Sequence, residues 1–303
     1  MANIYNEAKQ QFLKGDMDLD AGGQTYRVLL LRADGVTPTY DADHVYVSDV
    51  LGHAQNTEVS VSGYSRQDLG SRAVTQNDTD DRAEAEAQKS TFTSLAAGQT
   101  IGAAVIYKFG TGDSDSPVVG FFDAADLPTN GSNVEVRWNS VDGVGDFCYL
   151  ENAVRVYNNA LESFLNGVGD LDGGGTFRCL LLRADGVTPV FDADHVFVSD
   201  VLGHAQNTEV SASGYARQDL SSVSVNVDTG TDEGYFQANK STFSAVASGQ
   251  TVGAAVIFEF ITNDAASPVL AYYELTDTPT NGSDVEVLWS GTDGVGRAIK
   301  LTE

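Results

Sequence analysis

Residues 29–60 read LLLRADGVTPTYDADHVYVSDVLGHAQNTEVS, and residues 180–211 carry the same text with three changes, Thr39/Val190, Tyr40/Phe191 and Tyr46/Phe197. The offset is 151 residues and holds from Arg27/Arg178 to Gly145/Gly296. That period is far above the roughly 20–50 residues of a solenoid unit and is long enough for each copy to bury its own core. The sequence therefore predicts a tandem duplication, with one unit over residues 1–150 and a second over 151–303. Function is expected from two similar surfaces rather than from one cleft between unlike domains.

Working outward, Tyr26-Arg27-Val28-Leu29-Leu30-Leu31 is apolar on both alternating faces, as in a central strand buried on both sides. Ahead of it, Tyr5, Ala8, Phe12 and Leu13 fall on one helical face, with Asn3 as a candidate cap and Gly15 as a stop. Tyr157, Leu161, Phe164, Leu165 and Gly167 repeat the pattern. Further strands are expected at Val45–Ser48, Glu58–Ser62, Thr100–Phe109, Pro117–Phe122 and Val134–Trp138. Turn signals at Asp34-Gly35, Asn130-Gly131 and Asp142-Gly143 separate them. A last strand is expected at Phe147–Leu150, matched by Ala298–Leu301. The fold class is mainly β: two tandem homologous β-sandwich domains, each with a short N-terminal α-helix. The linker falls near Glu151 to Val156. The copies diverge most at residues 70–88 and 221–239, where the second has alternating Val and the pair Tyr235-Phe236. These segments are expected to meet different neighbours.

The net charge is −26, from 43 acidic and 17 basic residues. Asp supplies 30 of the acids and Lys only 6 of the bases. Both halves are acidic, with 22 acids against 10 bases in residues 1–150 and 21 against 7 in residues 151–303. Such a surface disfavours nucleic acid, whose binding rests on neutralising phosphates, and anionic membranes. It favours solubility, and fits either a halophilic or marine source, where salt screens self-repulsion, or an ordinary acidic protein. Cys148 and Cys179 are not equivalent positions, so they read as isolated core thiols rather than a duplicated disulfide or thiolate site. MANIYNEAKQQFLKG has no apolar segment of signal-peptide type, and no run of 18 apolar residues is present.

Three features carry possible chemistry. Asp41-Ala42-Asp43-His44 and Asp192-Ala193-Asp194-His195 combine carboxylates with an imidazole, a donor set for a structural ion. The same residues form turns ahead of a strand, and no EF-hand glycine or distal Glu follows. Asp41, Asp43, His44, Asp192, Asp194 and His195 are thus the metal candidates, with a turn as the competing reading. His53 and His204 lie in the loop Leu-Gly-His-Ala-Gln-Asn-Thr-Glu, where Glu58 or Glu209 could complete an acid–base pair. No nucleophile motif accompanies them. The stretches Asp20–Gly23 and Asp172–Gly175 join helix to strand, the reverse of a phosphate loop. No catalytic residue and no cofactor is expected.

Several stations in order resemble a family of small virion proteins of tailed phages and tailed archaeal viruses. Tyr5…Phe12-Leu13…Gly15-Asp16 resembles its aromatic "FLxGD" helix, and Tyr26–Leu31 its first hydrophobic strand. Val47-Ser48-Asp49-Val50 resembles its "LSDI" segment, Ser62-Gly63-Tyr64 its "SGY" turn, and Ala104–Lys108 its "VIYKD" strand. Ser116-Pro117-Val118-Val119 and Pro128-Thr129-Asn130-Gly131…Val134–Trp138 stand where members read "SpLia" and "tpNGgd…iTW". Nearly the whole chain is covered, twice. This chain departs in being duplicated and in a longer loop around Leu51–Thr57. The resemblance implies a non-enzymatic virion component, assembled in the host cytoplasm and decorating or projecting from the capsid. The partners it implies are the major capsid protein, other virion proteins and further copies of the chain. The competing expectation is a receptor- or carbohydrate-binding module on a tail or fibre, with exposed aromatics at loop tips, Tyr235-Phe236 being the candidate pair.

Overall fold

The computed structural model describes residues 3–20, 22–138, 144–151, 155–289 and 295–301. In chain order the first half forms β1 (Asn3–Ile4), α1 (Asn6–Leu13), β2 (Tyr26–Arg32), α2 (Val47–Gly52), β3 (Gln67–Asp68), β4 (Ala73–Asn77), β5 (Arg82–Gln88), β6 (Ser90–Phe92), β7 (Thr100–Lys108), β8 (Val118–Pro128), β9 (Val134–Val136) and β10 (Val144–Glu151). The second half follows with α3 (Asn158–Leu165), β11 (Phe177–Arg183), α4 (Val198–Gly203), β12 (Gln218–Asp219), β13 (Ser224–Asp228), β14 (Glu233–Asn239), β15 (Ser241–Phe243), β16 (Thr251–Glu259), β17 (Val269–Pro279), β18 (Val285–Val287) and β19 (Val295–Leu301). The protein is mainly β, with antiparallel pairing throughout.

The strand apolar on both faces is central, as its sequence requires. β2 lies inside a sheet of order β1-β8-β7-β2-β3, and β11 inside one of order β12-β11-β16-β17. Leu29 and Leu31 join Ala103, Val105 and Tyr107 in one cluster, under Val47 and Val50 of α2. Tyr26, Val28 and Leu30 join Ala104 and Ile106 in another, with Ala83, Ala85 and Phe147 of the three-stranded sheet β10-β5-β4. Two apolar faces on one strand thus meet two different partners.

Three expectations change. Val45–Ser48 is not a strand, because Val47 opens α2. Asp49 Oδ2 accepts from the Tyr46 and Val45 N–H groups at 2.8 and 3.1 Å, and this cap outweighs the β-branched composition. Asp200 does the same ahead of α4. Among the described residues each half therefore holds two α-helices, and the first adds a 3-10 turn at Asp113–Asp115. Glu58–Ser62 forms no strand beyond a single bridge from Glu58 to Leu31. Asn3 lies in β1, and Tyr5 is the residue that precedes α1. The expected turn at Asp142-Gly143 lies outside the described residues, as do linker residues 152–154.

The helices cross between the halves. α1 packs on β13 and β14 of the second half, and α3 packs on β4, β5 and β10 of the first. Each helix also touches its own half, α1 at β8 and α3 at β17, and the two touch each other. Ala8, Phe12 and Leu13 share one buried cluster with Ala160, Leu161, Phe164 and Leu165 and with both three-stranded sheets. The exchange is reciprocal in its backbone bonds, with Leu19 N–H donating to Leu165 O at 2.8 Å and Leu171 N–H donating to Leu13 O at 2.9 Å. Gly15 and Gly167, at φ 68° and 69°, end the two helices where the two segments pass close together. A Cβ at Gly15 would stand 3.1 Å from Gly167 O, and one at Gly167 would stand 2.9 Å from Asp18 Cβ.

Candidate functional site

The Asp-Ala-Asp-His segments lie where the halves meet. Asp43 N–H donates to Asp41 Oδ1 at 3.1 Å and Asp194 N–H to Asp192 Oδ1 at 3.2 Å, so each segment is an Asx turn. The carboxylates then part company. Asp41 Oδ2 stands 3.8 Å from His44 Nε2, and Asp192 Oδ2 stands 3.7 Å from His195 Nε2. Asp43 instead accepts from Asn6 Nδ2 at 3.0 Å, and the same amide donates to Asp232 Oδ1 of the second half at 2.9 Å. Asn158 mirrors this, donating to Asp194 at 3.0 Å and Asp81 at 3.5 Å. Each turn therefore clasps the β-hairpin tip of the opposite half through a buried asparagine. Among the described residues no group of three or more His, Cys, Asp or Glu side chains is placed to hold a metal ion.

The imidazoles also meet each other. His44 and His53 pack edge to face with centroids 5.8 Å apart, and His195 and His204 do so at 5.9 Å. Burial holds His44 below the ordinary imidazole range, against the pull of Asp41. Its Nδ1, like that of His195, is buried without a hydrogen-bond partner. The acid that sequence spacing offers to His53 is engaged elsewhere. Glu58 accepts from Arg66 Nε and Nη2, both at 2.7 Å, and from Tyr64 Oη at 2.7 Å. Arg66 also reaches Asp113 and lies 5.5 Å from the centre of the Tyr107 ring. The bidentate bonds to Glu58 raise the Arg66 pKa further. Glu209, Arg217, Tyr215, Asp264 and Phe258 repeat the arrangement. The geometry locks a loop to the central sheet.

A second kind of candidate is a pair of grooves. In the first half the pairing of β7 with β8 jumps from Ile101↔Leu127 to Ala103↔Asp123, so that residues 124–126 bulge out. Between this bulge and β9 lies a groove of about 340 Å³, lined by Ile101, Phe122, Leu127, Val134, Glu135 and Arg137 among others. The second half has the same jump, from Val252↔Thr278 to Ala254↔Glu274, and a groove of about 290 Å³ that includes Val252, Thr278, Val285, Glu286 and Leu288. Leu127 and Leu288 are 47% and 59% exposed, so each groove offers an apolar side chain to solvent.

Sequence reasoning located the Asp-x-Asp-His turns but missed their partners. Asn6 and Asn158 follow the aromatic residue at the head of each helix, and that shared Tyr-Asn pair is the signal that could have singled them out. Tyr235 and Phe236 do not form an exposed aromatic tip. Phe236 is fully buried against Phe177, with centroids 5.3 Å apart, and Tyr235 lies under the Arg297 guanidinium at 4.4 Å. Cys148 and Cys179 are separate, buried and unbridged, and burial pushes the Cys148 thiol up to about 12. Among the described residues no helix is long and apolar enough to cross a membrane. No family model matches the chain, and neither curated proteins nor solved structures give a match.

Proposed function

We propose that this chain is a non-enzymatic structural component of a tailed-virus particle, decorating or projecting from the capsid. In this reading residues 1–150 and 151–303 are two homologous β-sandwich units, each lending its helix to the other. The observation that carries the reading is that exchange. It joins two similar halves through one buried core, and each half keeps its own set of loops and a groove. A fused pair of this kind can engage two quasi-equivalent positions on a symmetric shell. The order of motifs resembling small virion proteins supports it, as does the acidic surface, which suits a solvent-facing role. The Asp and Glu side chains singled out for chemistry are engaged in bonds that hold loops and halves together, and the imidazoles pack on one another. The partners in this account are the major capsid protein or other virion proteins and further copies of the chain on the particle. Mass spectrometry and electron microscopy of purified particles test it. The chain is expected in stoichiometric amounts on the shell, and its absence from particles overturns the reading.

The paired grooves favour a second reading, a receptor- or carbohydrate-binding module on a tail or fibre, since two sites on one chain would bind with avidity. Glycan-array and host-cell binding by the isolated protein separate the two. Binding that Leu127→Asp and Leu288→Asp abolish would establish the second reading over the first.

A further inference from the structure

At their buried positions the two exchanged helices differ at one place only. α1 reads NEAKQQFL and α3 reads NNALESFL, sharing the buried Asn, Ala, Phe and Leu positions. They part at Lys9 and Leu161, equivalent positions that are both 0% exposed. A fully buried lysine is uncommon unless its charge is satisfied. The Lys9 ammonium donates to the Asp232 carbonyl of the opposite hairpin at 2.8 Å. Its stem lies on Gly234, where a Cβ would stand 2.7 Å from Lys9 Cβ and 3.0 Å from the Lys9 carbonyl carbon. Only glycine admits that approach. At the equivalent place in the first half the residue is Ala83, fully buried in the core where α3 lies on β5. Helix and sheet thus differ together, with lysine on glycine in one junction and, in the other, leucine on the helix and alanine on the strand it covers. The carbonyl acceptor is set up alike in both, because Asp81 and Asp232 hold the same left-handed turn at φ 50° and 54°.

We propose that the two junctions are not interchangeable, and that the Lys9–Gly234 and Leu161–Ala83 pairs direct each helix onto the other half's sheet. Two similar halves face a choice. The first half of one chain can pair with the second half of the same chain, or with the first half of another copy, which would link chains into open assemblies. Pairing like with like puts Lys9 over Ala83, whose methyl holds the helix off and strands a buried ammonium short of the Asp81 carbonyl. It also puts Leu161 over Gly234, leaving a void. Only the unlike pairing is matched, and within one chain it is favoured further by a high effective concentration. The divergence of residues 70–88 from 221–239 is, on this account, a docking code between the halves, and it keeps the product a closed unit.

The test uses the full chain. Lys9→Leu with Leu161→Lys exchanges the helix residues alone and makes like-with-like pairing the matched one. Adding Ala83→Gly and Gly234→Ala exchanges the sheet residues too and restores unlike pairing. The helix exchange is expected to lower the thermal midpoint by about 5 °C or more. It is also expected to give species above 32.1 kDa by light scattering, growing with the concentration at refolding. The four-residue exchange is expected to return both midpoint and mass toward the parent. A helix exchange that leaves either quantity at the parent value, or a loss that the sheet exchange does not recover, overturns the proposal.

Discussion

Truncating Phe12 to alanine should loosen the far half of the molecule more than the near hairpin. Phe12 is fully buried in the shared core, and α1 lies on β13 and β14. Removing a buried phenylalanine side chain costs about 3–5 kcal/mol, from lost transfer free energy and the cavity left behind. That is a large share of the roughly 5–15 kcal/mol that separates folded from unfolded states. A loss of about 3 kcal/mol speeds amide exchange through the affected opening by about 100-fold. Hydrogen exchange read by mass spectrometry locates the effect. Peptides over Ser224–Asp228 and Glu233–Asn239 should lose protection most, while those over Ala73–Asn77 and Arg82–Gln88 keep more of theirs. Phe164→Ala should reverse the pattern, because α3 lies on β4 and β5. If Phe12→Ala deprotects residues 73–88 more than 224–239, α1 covers its own half and the exchange is wrong.

Burial, then the neighbouring Asp20 and Asp78, holds the Glu162 carboxyl above its ordinary range. A carboxyl raised in the folded state gives its stability below the unfolded pKa and loses it as pH rises through the folded value. Glu162→Gln, which installs the amide found at Gln10 of α1, should therefore raise the melting midpoint at pH 7 and leave it unchanged near pH 3. Arg217 holds the Asp264 carboxyl below the usual carboxylate range, so that pair stabilises above the unfolded carboxylate value and fails as pH falls through the depressed one. Asp264→Asn should destabilise at pH 7 and flatten the acid limb of a melting-point profile below about pH 4. Because both thiols are buried, a thiol reagent should label neither Cys148 nor Cys179 in the folded chain and both in denaturant. With a net charge of −26, added salt should raise the midpoint between low and molar ionic strength, as the screening length falls from about 30 Å at 0.01 M to 3 Å at 1 M. A flat salt profile would remove self-repulsion from the account.

The central strands were legible because period-two burial on both faces leaves Tyr26–Arg32 and Thr100–Lys108 few alternatives. Val47–Gly52 was not legible, because its composition favours a strand and only the side chain of Asp49, bonded back to two N–H groups, turns it helical. Residues 82–88, Arg-Ala-Glu-Ala-Glu-Ala-Gln, alternate with a period of two, yet alanine is a weak strand former and hides the pattern. Its small side chains make sense only once α3 is laid across them. An apolar helical face states that something must cover it, not which half supplies the cover, so the exchange lay beyond pattern reading. The signal in reach was Lys9, a charged residue one turn ahead of Phe12 and Leu13 on the apolar side of α1. At the candidate site the turn-forming aspartates were legible, while their pairing with Asn6 and Asn158 needed the third dimension.

The claim that organises all of this is that the two halves form one interlocked body. Replacing linker residues 152–154 with a protease recognition sequence and cutting there tests it directly. The account predicts that the two fragments stay together through size-exclusion chromatography and melt in one transition near that of the uncut chain, separating only in denaturant. Fragments that part after cleavage under native conditions, each still folded, would contradict it.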